Sequence, residues 1–393
     1  MIPDISINKF TYELPDERIA KFPLAERDQS KLLLYWKGQI SEDIFLHISD
    51  YFNPGDMLVF NNTKVIHARL VFYKNTGARI EVFCMEPVSP STFEQALASK
   101  NTCTWLCMIG NFKKWKNDIL SIGYKNTTLT AEKLEVNDTG VIVRFAWEGT
   151  VSFGELMEHC GAIPIPPYLK REPEDIDNTR YQTVYSKYKG SVAAPTAGLH
   201  FTNSVLAKLK HNGVDIEELT LHVGAGTFKS VKADFIAGHE MHIEHFRLKL
   251  EVLEKLISKA GDIISVGTTS IRMLESLYWL GLNIKKTGVR HVGQWQPYEN
   301  EEDTSVTEAL YNIMGYMKKE KLTELDASTQ IMIVPSYRFR MIKGLVTNFH
   351  QPQSTLLLLI AALIGNNWRK IYDYALQHNF RFLSYGDSSL LLP

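Results

Sequence analysis

Along this chain the rhythm of apolar and polar positions changes twice. Over residues 1–64 it is mixed: Pro15 and Pro23 bracket a short helix, 31–36 is strand-like, and 44–51 has helical spacing that stops before Pro54-Gly55. Residues 56–60 read as a buried strand ending in the polar turn Asn61-Asn62-Thr63. From about 65 to 148 short alternating runs, at 78–85, 104–109, 119–122 and 141–145, replace helical periods, and Gly77, Gly110, Gly123 and Gly140 punctuate them. Regularly spaced short strands without helices predict a small antiparallel barrel or sandwich inserted into the chain. From 149 onward helices and strands alternate again, which predicts an α/β core: strands at 263–266, 331–334, 345–349 and 380–383, and helices at 306–319, 356–364 and 368–378.

The stretch from Lys189 to Phe228 organises this core. Ala193-Ala194-Pro195-Thr196-Ala197-Gly198-Leu199-His200 is too rich in small residues for a strand, and its proline stops a helix, so it reads as a fixed loop. Thr202 is placed to cap a helix carrying Val205, Leu206 and Leu209. Leu219, Leu221 and Val223 then alternate with Thr220 and His222 as a strand does, and Gly224-Ala225-Gly226-Thr227-Phe228 follows. A second strand-to-turn-to-helix passage runs through Gly267-Thr268-Thr269-Ser270, and a third through His350-Gln351-Pro352-Gln353-Ser354-Thr355. Loops at the carboxyl ends of strands are where α/β proteins place ligands, and a hydroxyl-rich helix start offers free N–H groups to an anion.

Composition narrows the classes. The 393 residues are long enough for two or three domains, and 45% hydrophobic with 22% charged residues is ordinary for a soluble protein. The net charge of −1 supplies no global positive field, so any RNA contact must rest on local patches. Lys113-Lys114-Trp115-Lys116 is one such patch, a basic run around an aromatic plate, or else a solvated hairpin tip. Cys84, Cys103, Cys107 and Cys160 lack paired spacing and read as reduced thiols. No signal peptide is apparent, and the longest apolar run, 356–364, is far shorter than the roughly 20 residues of a spanning helix.

Several motifs fail. Gly224-Ala225-Gly226 lacks the third glycine of a dinucleotide loop, where Lys229 stands. His239-Glu240-Met241-His242-Ile243-Glu244-His245 has Ile243 where a zincin needs its second histidine, which leaves a looser metal cluster, and with it a metal-dependent hydrolase, as a rival reading. What remains is a set of polar groups at element ends: His200, His222, Thr227, His239, His242, Glu244, Thr268, Arg272, Asn348, His350 and Asp387. Histidines without a nucleophile motif suit proton transfer on an already activated substrate.

These residues sit in a longer ordered series: Tyr12-Glu13-Leu14-Pro15, Pro54-Gly55-Asp56, Ile163-Pro164-Ile165-Pro166-Pro167-Tyr168, Tyr181-Gln182-Thr183-Val184-Tyr185, 193–201, 221–228, His239-Glu240-Met241-His242 with Glu244, Gly267-Thr268-Thr269-Ser270 with Arg272, Thr347-Asn348-Phe349-His350, and Tyr385-Gly386-Asp387. Over nearly its full length the chain resembles the S-adenosylmethionine:tRNA ribosyltransferase-isomerases of queuosine biosynthesis. The resemblance implies a barrel-like α/β core domain, residues 1–64 and 149–393, with an inserted small antiparallel β-barrel domain, 65–148. It implies transfer and isomerisation of the ribosyl moiety of S-adenosylmethionine onto 7-aminomethyl-7-deazaguanine at the tRNA wobble position, giving epoxyqueuosine-tRNA with loss of adenine and methionine. The alternative is a divergent member that binds S-adenosylmethionine or RNA without this turnover.

S-adenosylmethionine is then a co-substrate, and no cofactor or metal is expected; the partner is tRNA, and the protein is expected to be a cytoplasmic monomer with no membrane contact. The implied catalytic set is His200, His222, His239, His242, Glu244, His350 and Asp387. The implied binding set is Tyr181, Gln182, Tyr185, Pro195, Thr196, Gly198, Gly224, Gly226, Thr227, Phe228, Gly267, Thr268, Thr269, Arg272, Asn348 and Tyr385. Imidazole chemistry predicts that turnover falls as pH drops through about 6.5. The chain departs from the family pattern at Asn62 and Lys64, where Asp and Arg are usual, at Gln330 for Asp, and at Ser336 for Gly.

Overall fold

The computed structural model describes residues 2–116, 118–224, 233–299 and 304–393. Ten strands form one mixed sheet in the order His291–Val292, Glu324–Thr329, Glu244–Lys249, Asp215–Leu221, Met57–Asn61, Ile263–Val266, Ile342–Asn348, Ser388–Leu392, Lys31–Trp36 and Gln39–Ile44. From Asp215–Leu221 to Ile342–Asn348 the neighbouring strands are parallel, in registers such as Leu219 opposite Asn61 and Val266 opposite Val346. These strands are apolar throughout because both faces are covered, Ile263–Val266 being buried at every position. One face carries the long helix Thr268–Thr287 with Val306–Lys319 packed on it; Asn203–His211 lies against the other. Thr202 caps Asn203–His211 by accepting from the Val205 N–H, as its position before the apolar spacing suggested.

A second, seven-stranded sheet is wholly antiparallel: Gly161–Ala162, Arg69–Tyr73, Arg79–Ser89, Thr102–Gly110, Gly140–Ala146, Thr127–Asn137 and Leu120–Tyr124. It curls until Arg69–Tyr73 and Leu120–Tyr124 approach each other, though no ladder joins them among the described residues. Trp105, Phe145, Phe72 and Phe153 fill a core of its own. The chain is thus mixed α/β, with a large sheet and a curled antiparallel one.

Several expectations differ from what is observed. Residues 331–334 are buried but form no strand; Ile331 N donates to Thr329 Oγ1, Met332 N to Gln294 O and Val334 N to the Tyr298 hydroxyl, so other groups satisfy this backbone. The strand lies just before, at Glu324–Thr329. Residues 380–383 make only a bridge, Phe382 with Ile19, and the last strand is Ser388–Leu392, held between Ile342–Asn348 and Lys31–Trp36. Its serine-leucine run has no period because it is buried on both faces. The antiparallel region is not free of helix, since Phe93–Ala98 is one, capped by Thr92. Residues 45–51 form a 3-10 helix, and a 3-10 turn, Asp16–Arg18, stands where a helix between prolines was predicted. Trp115 is 1% exposed and donates its indole N–H to Asp118 O, so it cannot offer a plate to a base.

Candidate functional site

The four parallel strands from Asp215–Leu221 to Ile342–Asn348 deliver their carboxyl ends to one edge of the sheet, and the turns singled out in the sequence begin there: Asn62-Thr63, His222 to Gly224, Gly267-Thr268 and Phe349-His350. The strand Glu244–Lys249 runs antiparallel to Asp215–Leu221, so its first residue, Glu244, reaches the same edge. Val223, Gly267-Thr268 and the turn at 349–351, with Glu244 and the loop at 193–197, enclose a cleft of about 100 Å³, while Asn62 and His222 face the wider groove beside it.

Each wall has a local cause. Gly267 takes φ +91, a left-handed conformation that a side chain would strain, and this turns Ile263–Val266 sharply into the helix Thr268–Thr287, whose first residues Thr268 and Thr269 line the cleft. One turn on, Arg272 places Nη1 2.9 Å from Glu244 Oε2, and His242 Nε2 stands 3.4 Å from Glu244 Oε1. Burial raises the Glu244 pKa, but the Arg272 guanidinium and His242 outweigh it and hold the carboxyl below its usual range. Arg272 Nε and Nη2 and Thr269 Oγ1 are buried at this cleft without a hydrogen-bond partner, and the buried Tyr181 hydroxyl lies near Ser384 and the Ala194 backbone. Buried polar atoms are nearly always satisfied, so this clustering beside a hollow marks a candidate ligand-binding wall.

The opposite wall comes from the end of Ile342–Asn348. His350 Nε2 lies 3.1 Å from Thr347 Oγ1, the Tyr372 hydroxyl accepts from His350 N at 3.0 Å, and the Tyr12 hydroxyl donates to His350 O. Burial depresses the His350 pKa to about 3, so its ring is neutral at physiological pH. The Asn348 amide donates to Leu383 O at 3.0 Å and Ser384 O at 3.4 Å, leaving its Oδ1 without a partner. Behind it His200 Nδ1 meets Ser30 Oγ at 2.7 Å while Nε2 has no aligned partner; burial lowers this pKa to about 4, and the nearby Asn348 amide opposes the shift.

The structure therefore brings Tyr181, Pro195, Thr196, Glu244, Gly267, Thr268, Thr269, Arg272, Asn348 and His350 into one cleft. Gly224 sits beside His242, where a methyl group would stand 3.5 Å from the ring. The remaining expected residues are elsewhere. His222 opens onto a wider groove of about 1190 Å³ between the two sheets; its Nδ1 is 3.0 Å from Thr63 Oγ1, and burial lowers its pKa to about 4. His239 is half-buried outside the cleft and its carbonyl accepts from Gln294 Nε2. Gln182 clamps Val65, donating to its O at 2.8 Å and accepting from its N at 3.0 Å. Tyr185 packs on Phe60, and Gly198 lies under it so closely that a Cβ would stand 1.9 Å from the hydroxyl.

The Tyr385 hydroxyl donates to Asp177, and Asp387 accepts from Lys31 N, Arg381 N and the Arg381 guanidinium. Gln182, Gly198, Tyr385 and Asp387 thus build the scaffold rather than face the cleft, because their polar atoms or their space are taken up by neighbouring chain. Gly226, Thr227 and Phe228 lie outside the described residues. Sequence reasoning missed Tyr168, Thr347, Ser384 and Thr355 as cleft residues. The polar turn at 350–355 was the signal for Thr355, and the motif series already held Thr347 and Tyr168, whose hydroxyl is 2.5 Å from Ser384 Oγ.

The departures avoid this cleft. Asn62 donates to Glu218 Oε2 at 3.0 Å and accepts from Thr220 Oγ1 at 2.8 Å, at the wide groove. Gln330 donates to Met241 O at 2.7 Å, bracing the His239 to His242 turn. Ser336 sits at φ +89, a conformation glycine takes without strain.

The family model described as "Queuosine biosynthesis protein" matches residues 7–391. Similar curated proteins are named S-adenosylmethionine:tRNA ribosyltransferase-isomerase. That of Thermoanaerobacter sp. (strain X514) is 38% identical over 393 residues, spanning 98% of this chain and 99% of its own. Those of Francisella tularensis subsp. mediasiatica, 36% identical over 97% of this chain and 98% of its own, and Halothermothrix orenii, 36% over 99% and 100%, carry the same name. A crystal structure of S-adenosylmethionine tRNA ribosyltransferase from Thermotoga maritima covers 98% of this chain and 100% of its own, at 27% identity and a TM-score of 0.46.

Proposed function

The chain belongs to the queuosine biosynthesis family, and from that premise we propose that it is an S-adenosylmethionine:tRNA ribosyltransferase-isomerase. It moves the ribosyl group of S-adenosylmethionine onto 7-aminomethyl-7-deazaguanine in the tRNA wobble position and isomerises it to epoxyqueuosine, releasing adenine and methionine. The observation that carries this reading is the convergence of segments distant in sequence on one cleft whose buried Arg272 and Thr269 atoms lack partners.

The roles follow from the groups. The start of Thr268–Thr287, with Thr269 and Arg272, holds the methionine carboxylate by free N–H groups and a guanidinium. Tyr181 and Pro195-Thr196 form the wall for a ring. A sulfonium acidifies the C5′ protons beside it, and a neutral imidazole can take one; His350, uncharged down to about pH 3, tolerates a cationic donor nearby. The pair of electrons left at C5′ is then available as adenine departs, and His242 beside Glu244 is the group placed to give adenine a proton. His200 acts from behind, through the Asn348 amide.

The proposal includes the division into a barrel-like core, residues 1–64 and 149–393, and an inserted antiparallel barrel, 65–148; separate apolar cores support it. No helix among the described residues is long and apolar enough to cross a membrane, and we take the protein to act on tRNA in the cytoplasm as a monomer without a metal. None of Asn62, Lys64, Gln330 or Ser336 lines the cleft, which favours turnover over a divergent, merely binding relative. Incubation with S-adenosylmethionine and tRNA carrying the aminomethyl base should release adenine in step with modified tRNA; ligand binding without adenine release would overturn this reading.

A further inference from the structure

Next to the cleft, separated from it by Ser384 and entered over Pro23 and Leu24, is a second crevice of about 20 Å³. Its walls carry Arg27, Arg180 and Arg381, with the buried ring of His200 at its base. The guanidiniums are fixed from behind. Arg27 donates to Gln182 O at 3.0 Å, Arg180 to Ala25 O at 2.9 Å and Leu24 O at 2.6 Å, and Arg381 to Asp387 Oδ1 at 2.8 Å. Backbone carbonyls orient Arg27 and Arg180 but do not neutralise them, and neither has an ion-pair partner among the described residues. Of the two aspartates nearby in the chain, Asp387 is held by Arg381 and backbone, and Asp28, which accepts from Thr202 Oγ1 at 2.9 Å, acts on Arg27 through its charge without a salt bridge among the described residues.

Three guanidiniums are therefore gathered around one paired carboxylate, Asp387 on Arg381, in a chain whose net charge is −1. Burial first, and then the neighbouring Arg180, depress the Arg27 pKa against smaller opposing effects of Tyr385 and Asp28. The room suffices for one oxyanion group and not for a base. A guanidinium fork matches a phosphate better than any other side chain does. Just outside the rim Phe22 is 47% exposed, with the Arg171 guanidinium 4.3 Å above its ring, an aromatic surface of the kind on which unpaired bases stack.

We propose that this crevice is a phosphate subsite for the RNA substrate: Arg27, Arg180 and Arg381 hold a backbone phosphodiester adjoining the nucleotide whose base enters the cleft. The assignment rests on the reading of the cleft as the site of tRNA modification. It supplies local positive charge that the molecule as a whole lacks.

The test is binding of a fluorescent anticodon stem-loop RNA, followed by anisotropy over a series of KCl concentrations, to the wild type and to Arg27→Gln/Arg180→Gln. The variant should bind roughly tenfold or more weakly at low salt. Its plot of log affinity against log salt should be shallower by about 0.7 for each phosphate it no longer neutralises. The KM for S-adenosylmethionine should stay within about twofold. An unchanged salt slope, whether or not affinity falls, would overturn the proposal, because arginines that only support the fold do not release counter-ions. A raised KM for S-adenosylmethionine with intact RNA binding would instead assign the crevice to the donor and overturn it too.

Calorimetric titration with inorganic phosphate and pyrophosphate separates the remaining source: binding that the variant loses while its RNA slope is intact would make this a free-oxyanion site. Arg27→Lys keeps the charge without the fork, and should weaken RNA binding with the wild-type slope; it serves if the double variant does not fold. Since binding is read without turnover, a wild type that binds RNA yet releases no adenine would sink the proposed reaction alone.

Discussion

The cleft and the wide groove are hollows of opposite construction. In the groove charges answer one another: Lys187 with Glu218 at 2.6 Å, Lys189 with Glu158 at 2.7 Å, Lys255 with Glu217 at 2.6 Å and Arg247 with Asp326 at 2.8 Å, nearly all of them on partly or fully exposed side chains. In the cleft a single carboxylate, Glu244, is shared between Arg272 and His242, and Arg272 Nε and Nη2 and Thr269 Oγ1 stay unpaired in a buried setting. Size alone would choose the groove, more than ten times the larger. Unmet hydrogen-bonding capacity chooses the cleft, since burying an unsatisfied group has a cost that only a bound partner removes, while exposed ion pairs are nearly neutral in energy.

This contrast can be broken by substitution. The largest effect is expected at Arg272→Met, which leaves Glu244 buried without its cation: stability should fall by about 3–5 kcal/mol in denaturant unfolding. Adenine release should fall by roughly a hundredfold or more in any protein that remains folded. A loss below about 1 kcal/mol would mean that this pair is already solvated, as the groove pairs are.

Acid comes second. His200 and His350 have folded pKa values of about 4 and about 3, burial being the main cause, against about 6.5 unfolded. Between those values the unfolded chain binds more protons, so stability rises with pH and is lost as pH falls from about 6.5 towards 4 and then 3. For His200 the full effect is on the order of 3 kcal/mol. The same burial moves the acid limb of turnover below the range near about 6.5 that free imidazole predicts. Thermal melts and a pH–rate profile check both, and a profile breaking near 6.5 would take His350 out of the base role. The smallest effect belongs to the groove: Lys187→Met should change stability by less than about 1 kcal/mol, with the difference disappearing at high salt.

Much of the core was legible because period and punctuation agree there. The helix at 306–319 and the passage from Ile263–Val266 into Thr268–Thr287 follow from apolar spacing bounded by Ser305 and Gly267. Less legible were segments whose backbone is satisfied from a distance. Residues 331–334 look like a strand, but Tyr298 and Gln294 take their hydrogen bonds. Ser388–Leu392 looks like a tail, but it is an interior strand, third from one edge of the sheet. Among site residues, composition could name histidines but not sort them; His350 faces the cleft, His200 stands behind it and His222 opens on the groove.

What the sequence determined by itself is the inventory: an α/β chain with a β-rich stretch between 65 and 148, polar turns after apolar strands, and the motif series that marks the family. These are local facts, written in spacing and residue type, and they survive without knowledge of neighbours. Only the tertiary structure decided which polar atoms remain unpaired. Asp387 and Gln182 were spent on backbone, whereas Arg272, Thr269 and Asn348 kept atoms free. A side chain's availability depends on partners hundreds of residues away and on the water that burial removes, and neither is a property of its own position in the sequence.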